Sequence, residues 1–293
     1  MVSSRVHVIG ASGRSGLALC SALLGAGVTV VPVVRDVARW DATSVTGQAE
    51  PARIADLRDT TTLTAALADA ERVASCAHAR HIPAILTAAP TSARFVFLGS
   101  TRKFTSWPDS HGDGVLAGEA ALLASGRSGV LLHPTMIYGA RGENNVRRLA
   151  TLIRRLPVVP LPEGGRSLVQ PIHQDDVTRC ILAALGRDWN GPHALVIAGP
   201  EAVAYADFVR AIAAASGQRH PRILRFPAGP LIALARLTRF LPGLPVIGPA
   251  EVRRLLEDKA FDIGPMRAEL GITPLPLCQG LALTFSAPHD PPR

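Results

Sequence analysis

Residues 8–16 read V-I-G-A-S-G-R-S-G, and no other stretch restricts the fold as strongly. A short apolar run through Val6, Val8 and Ile9 leads into glycines at 10, 13 and 16, and the helical pattern "GLALCSALLGAGV" follows at once. In a strand–turn–helix of this spacing Gly10 permits the tight turn and Gly13 lets backbone N–H groups approach a pyrophosphate. Gly16 lets helix and strand pack closely, and the helix N-terminus adds partial positive charge. Its place at the head of a strand–helix series supplies the confirming context. The loop therefore implies a dinucleotide held by Gly10, Ser12, Gly13, Arg14, Ser15 and Gly16.

Further strands are expected at "TVVPVVRD", "ARIADLRD", "RVASCAHARH", "ARFVFLGS" and "GVLLHP", with helical patterns between most of them, as in "GEAALLASG". Continuous apolar strands alternating with helices predict a parallel sheet covered on both faces, a doubly wound α/β Rossmann fold. After Pro134 the pattern loosens. "NNVRRLATLIRRL", "AYADFVRAIAAASG" and "AEVRRLLEDK" read as helices and "HALVIAG" as a strand. "RSLVQPIHQDDV" reads as a strand entering a helix, with Asp175 or Asp176 as N-cap. Residues 1–135 are expected to bind the dinucleotide, and residues 136–293 to supply interleaved sheet elements and a small C-terminal substrate lobe.

Which dinucleotide is bound depends on the end of the second strand. An acidic residue there binds a ribose 2′-hydroxyl, whereas an arginine accommodates a 2′-phosphate. The chain offers Arg35 followed by Asp36, with Arg14 inside the glycine loop. NADP(H) is expected in preference to NAD(H). Asp56, after the third strand, is expected at the adenine edge, and "SCAH" (Ser75, Cys76, Ala77 and His78) along the adenosine side.

Hydrophobic residues make up 47% of the chain and charged residues 18%, a globular composition. The net charge of +8 favours anionic partners. The basic residues are scattered, however, and two Tyr and three Trp offer few stacking platforms, so nucleic acid is not expected. Cys20, Cys76, Cys180 and Cys278 lie far apart, as reduced thiols of a cytoplasmic protein would. With five residues before the first expected strand, no signal peptide is expected. "CAHARH" lacks a third ligand, and no metal is expected. "PLIALARLTRFLPGLPVIG" is too interrupted to span a bilayer; its spacing suits a core helix or a lipid-surface contact.

The chain resembles the short-chain dehydrogenase/reductase superfamily, in particular its extended and atypical epimerase/dehydratase-like branches. "GASGRSG", "VVRD", "FLGST", "LLHPTMIYG", "QPIHQDDVTRCILAAL" and "LLEDKAFDIGPMRAELGITP" carry the resemblance, with His133 where the family has Arg. It implies an active-site Ser at Ser100, or its neighbour Thr101, and nicotinamide contacts at Pro134, Thr135 and Met136. It also implies a Tyr with a Lys four residues later. The only tyrosines, Tyr138 and Tyr205, have no such Lys, and the expected window falls near "HGDGV", residues 111–115. His111 is the foremost substitute for proton transfer, with Lys103 and Glu119 behind it; a substrate-supplied partner acting through bound water is the other enzymatic route. Asn144, Asn145, Arg166 and Gln170 stand where extended members hold a polar substrate, such as a nucleotide-sugar, and His173 flanks the same side. The implied activity is an NAD(P)-dependent oxidoreductase acting on a small molecule, with a homodimer as the family's common assembly. A non-catalytic NADP(H)-binding regulator or assembly factor, and a reductase of a lipid-linked or hydrophobic ketone, are the alternatives.

Overall fold

The computed structural model describes residues 5–139, 145–156, 158–235 and 248–286. Strand and helix alternate through β1 (Arg5–Ile9), α1 (Arg14–Gly25), β2 (Thr29–Val34), α2 (Val37–Asp41), β3 (Arg53–Ile54), α3 (Thr60–Leu67), β4 (Arg72–Ser75), α4 (Ile82–Ala88), β5 (Arg94–Leu98), α5 (Ser110–Ser125) and β6 (Gly129–Pro134). Then follow β7 (Ile137–Tyr138), α6 (Asn145–Arg155), β8 (Val158–Pro162), β9 (Leu168–Val169), β10 (Ile172–His173), α7 (Gln174–Gly186) and β11 (Pro192–Ile197). The chain closes with β12 (Val203–Ala204), α8 (Tyr205–Ala215), β13 (Arg222–Phe226), α9 (Ala228–Ala235), α10 (Pro249–Arg254), α11 (Gly264–Leu270) and α12 (Leu277–Ser286).

Seven strands form one parallel sheet in the order β3-β2-β1-β4-β5-β6-β11. Its central strands are buried on both faces, as their unbroken apolar runs require. Leu19 and Leu23 of α1 pack with Ile181 and Leu185 of α7 over one face. Leu63, Ile85, Val115 and Leu122 of α3, α4 and α5 cover the other. A separate cluster around Tyr138, Phe208, Ile212 and Leu281 builds the C-terminal lobe. The sheet is thus the doubly wound Rossmann arrangement, with β11 returning to it from late in the chain. Strand order reverses between β1 and β4, and the crevice at their C-terminal ends is where such folds bind ligands.

Two helix starts differ from the sequence expectation. α7 begins at Gln174 and is capped by His173, whose Nδ1 accepts from the Asp175 N–H at 3.3 Å. Asp176 is fully buried and accepts instead from Leu275 N–H at 2.8 Å and from Arg179 at 2.8 Å. α5 starts at Ser110, well ahead of "GEAALLASG", because Asp109 accepts the N–H groups of His111 and Gly112 at 3.0 and 2.9 Å. Its internal glycines look helix-breaking, yet a Cβ at Gly118 would lie 2.2 Å from the Ala79 carbonyl oxygen. Close packing against the loop after β4 demands them, and tertiary contact outweighs propensity here. Of the interrupted apolar segment after Phe226, residues 236–247 lie outside the described residues. Among the described residues no helix is long and apolar enough to cross a membrane.

Candidate active site

At the end of β1 the chain turns through Gly10, with φ +76°, and the Gly10 N–H donates to Val33 O at 3.0 Å. Gly13 then donates to Gly10 O at 2.9 Å and takes the N-cap of α1, where as a glycine it brings no side-chain cap. Helix donors left uncapped in this way suit a phosphate. A Cβ at Gly16 would lie 2.1 Å from Gly10 O and one at Gly10 3.3 Å from Ala77 N. The loop is therefore a cradle that side chains would fill, and it fits a pyrophosphate.

Around this cradle the expected residues divide. Ser12 is half-buried and Arg14 exposed in the loop, while Cys76 and Ala77 are half-buried beside Gly10. Burial pushes the Cys76 thiol up to about 12, so it stays protonated. Arg35 is exposed immediately after β2, and the neighbouring Asp36 carboxylate caps α2 by accepting from Arg39 N–H at 3.1 Å. Asp56 is half-buried and caps its own turn through Arg58 N–H at 2.9 Å. The Ser15 hydroxyl donates to Gln174 Oε1 at 2.9 Å, because α7 lies directly against α1.

Across the crevice, Ser100 ends the segment after β5. Its Oγ accepts from Arg102 N–H at 3.1 Å, which leaves its own proton available. Neighbouring Thr101 is buried and donates to Pro134 O at 3.2 Å. Thr135 is buried behind this turn and donates to the Gln170 carbonyl, and half-buried Met136 accepts from Ile172 N–H at 3.0 Å.

His111 sits in the first turn of α5, and Val115, one turn later, is 1% exposed. The His111 ring meets that of His78, from the loop after β4, edge to face with centroids 4.3 Å apart. His78 Nδ1 accepts from Arg80 N–H at 3.1 Å, a bond that puts the proton of the neutral ring on Nε2. Burial, then the neighbouring His111 and Arg80, hold His78 down at about 4. Burial and the Arg102 guanidinium lower His111 as well. Both imidazoles are therefore neutral at neutral pH. Each carries one N–H and one lone pair, which suits proton exchange.

Lys103 and Glu119 are spent on each other, with Lys103 Nζ 2.7 Å from Glu119 Oε1. His133 stands 3.2 Å from the same carboxylate, fully buried, and is held at about 4 by burial and by Lys103. Neither tyrosine reaches this place. Tyr138 is buried against α12, where a Cβ on Gly280 would lie 2.1 Å from its hydroxyl, and Tyr205 opens α8 beside Phe208.

No family model matches the chain. Curated relatives include the uncharacterized proteins Rv2047c of Mycobacterium tuberculosis and Mb2073c of Mycobacterium bovis, each 32% identical over 186 residues, 62% of this chain. The chain spans only 20% of the length of those relatives. Among solved structures, UDP-glucuronic acid 4-epimerase of Bacillus cereus in complex with UDP-glucuronic acid and NAD superposes with TM-score 0.71 at 17% identity, over 96% of this chain and 98% of that one. NADPH-dependent quinone oxidoreductase QOR2 of Escherichia coli gives 0.73 at 19%, over 96% and 99%. A short-chain dehydrogenase/reductase superfamily protein of Agrobacterium tumefaciens with bound NAD gives 0.69 at 18%, over 96% and 97%.

The fold is that of a short-chain dehydrogenase/reductase.

On the substrate side of this short-chain dehydrogenase/reductase fold, the residues expected to bind substrate are dispersed. Asn144 lies outside the described residues. Asn145 begins α6 and is exposed, as is Arg166 in the turn between β8 and β9. Gln170 is buried and works as scaffold. Its amide donates to Gly199 O at 2.8 Å and accepts from Phe261 N–H at 2.7 Å, pinning the segment after α10. His173 is buried with its ring edge-to-face against Tyr138. The sequence puts residues 75–78 on the adenosine side but pairs neither His78 with His111 nor the 256–261 segment with Gln170. The "LLEDKAF" resemblance, which placed a closing tail there, was the one available signal.

Proposed function

We propose that this protein is a nicotinamide-dinucleotide-dependent oxidoreductase that prefers NADP(H) and acts on a small-molecule carbonyl or carbinol. The glycine cradle carries the reading: it presents uncapped helix donors at the switch point, while Ser100 follows the same end of β5 and His111 meets His78 from the loop after β4. The nucleotides in the names of similar structures, NAD for the epimerase and NADPH for the quinone oxidoreductase, agree with it. NADP(H) is favoured because Asp36 is engaged as a helix cap while Arg35 stays exposed beside it. In this reading residues 1–135 hold the cofactor and residues 136–293 close over the substrate.

When bound, the cofactor supplies hydride chemistry. The chain's own residues manage the oxygen. Ser100 donates its free hydroxyl proton as a hydrogen bond to the substrate oxygen. In the reducing direction the C=O π pair moves onto that oxygen as the carbon gains a hydride, and the oxygen takes the N–H proton of neutral His111 while the other ring nitrogen takes a proton from solvent. His78 fixes the orientation of His111 through ring contact.

A second reading, a non-catalytic NADP(H)-binding regulator, is favoured by one observation: buried Val115 stands where the resemblance puts a lysine. The test is oxidation of NADPH in the presence of a panel of aryl ketones, quinones and nucleotide-sugars. The oxidoreductase reading expects turnover that His111→Gln lowers by about 100-fold or more with NADPH affinity unchanged. NADPH binding without turnover of any panel member would transfer the assignment to the regulator.

A further inference from the structure

Between the loop after β5 and the segment 256–261 lies a cavity of about 410 Å³, within the usual range for small-molecule sites. Its floor is Thr101, next to Ser100. Phe104, Trp107 and Phe261 all line the cavity, and the Phe104 and Phe261 rings touch, tilted with centroids 5.6 Å apart, as one continuous aromatic wall. Phe104 is 55% and Trp107 46% exposed, whereas Phe95, Phe97 and Phe208 are buried in the core. Aromatic rings left facing an open cavity offer large, rigid contact area to a ligand. Cations hold two of them: Lys103 Nζ lies 4.8 Å from the Phe104 centroid, and the Arg253 guanidinium 5.5 Å from that of Trp107.

The charged wall residues are already engaged. Glu257 accepts from Thr105 Oγ at 2.7 Å and from Ser106 N–H at 2.6 Å, and it pairs with Lys259 at 3.1 Å. Asp258 accepts from Leu168 N–H at 2.8 Å. Among the described lining residues one lysine thus faces two carboxylates. With the Arg253 guanidinium on Trp107 counted, the wall has no net positive charge to hold a diphosphate, and burying one there leaves its charge unpaired. An uncharged planar ligand meets no such penalty.

We propose that this cavity binds an uncharged, planar aromatic carbonyl compound, its ring against the wall formed by Phe104, Trp107 and Phe261 and its carbonyl toward the Ser100–Thr101 turn. The binding rests on the cavity itself; the reduction of that carbonyl rests on the oxidoreductase reading above.

2-Acetylnaphthalene is the probe, titrated into the full chain by saturation-transfer NMR with and without NADPH. Binding is expected, weakened about tenfold by Phe261→Ala and by Trp107→Ala. It is expected to be unchanged in Ile54→Ala at the far sheet edge, where the side chain is 61% exposed. UDP-glucose is expected not to displace the probe. NADPH affinity, measured on each variant, reports whether the fold survives. No probe signal, equal binding by a folded Phe261→Ala protein, or displacement by UDP-glucose would overturn the proposal. Reduction of the probe by NADPH is scored separately. Binding without reduction keeps the cavity assignment and counts against the oxidoreductase reading, and reduction insensitive to both aromatic variants does the reverse.

Discussion

The glycine turn after β1 and the serine turn after β5 border one crevice but are built from different material. The first is backbone: a positive φ at Gly10, an uncapped helix start at Gly13, and a Gly16 contact that leaves no room for a Cβ. The second is side chain: Ser100 on its own turn, His111 on α5 and His78 from another loop. A backbone site depends on a few glycines at fixed spacing, so it persists across wide sequence change. A side-chain site is rebuilt when its members change, and here a neutral histidine pair occupies the region where the resemblance expects Tyr and Lys.

The sharpest way to break that contrast is Gly13→Val. Gly13 has φ −78° and ψ 166°, open to any residue, and its Cβ would meet only Gly10 O at 3.1 Å. The account expects roughly a 100-fold or greater loss of dinucleotide affinity, as N–H contacts to phosphate are lost, with little change in melting temperature. Retained affinity would remove the cradle from the site. Calorimetry and a thermal melt on the same sample read both.

Gln170→Leu probes the scaffold behind the serine turn. It strands Gly199 O and Phe261 N–H, and a stability loss of about 1–3 kcal/mol is expected from buried groups left unpaired. A urea midpoint equal to wild type would show that the 256–261 segment is held by other contacts.

The smallest effect is acid sensitivity on the histidine side. His78 and His133 are held at about 4 in the folded protein, and unfolded they titrate near about 6.5. Between those values the unfolded chain binds more protons, so their contribution is complete above about 6.5 and is lost as pH falls toward about 4. Urea midpoints should therefore drop from about pH 7 to about pH 5, and His133→Gln should flatten that dependence. A midpoint unaffected by acid would contradict the buried, neutral state.

What the sequence disclosed follows the same division. The strand–helix alternation and the glycine loop were legible because periodicity and spacing are local properties. The start of α5 was not, since Gly112, Gly114 and Gly118 argue against a helix until the close approaches of Arg102 O, the His78 ring and Ala79 O to them are known. Chain position alone put Ser15 and Gln170 beside a ligand, and only packing reveals the bonds their side chains make to Gln174, Gly199 and Phe261. His78 and His111 meet across two loops, and nothing in the spacing of either predicts the other. The aromatic cavity likewise joins segments distant in sequence.

The most direct test of the account is calorimetric titration of the purified protein with NADPH, NADH and their oxidised forms. Saturable binding of NADPH, tighter than that of NADH by about tenfold, is the predicted result, the 2′-phosphate meeting a charge-assisted guanidinium contact. Absence of heat with all four forms would contradict it, and the turn at Gly10–Gly16 would then be structural only.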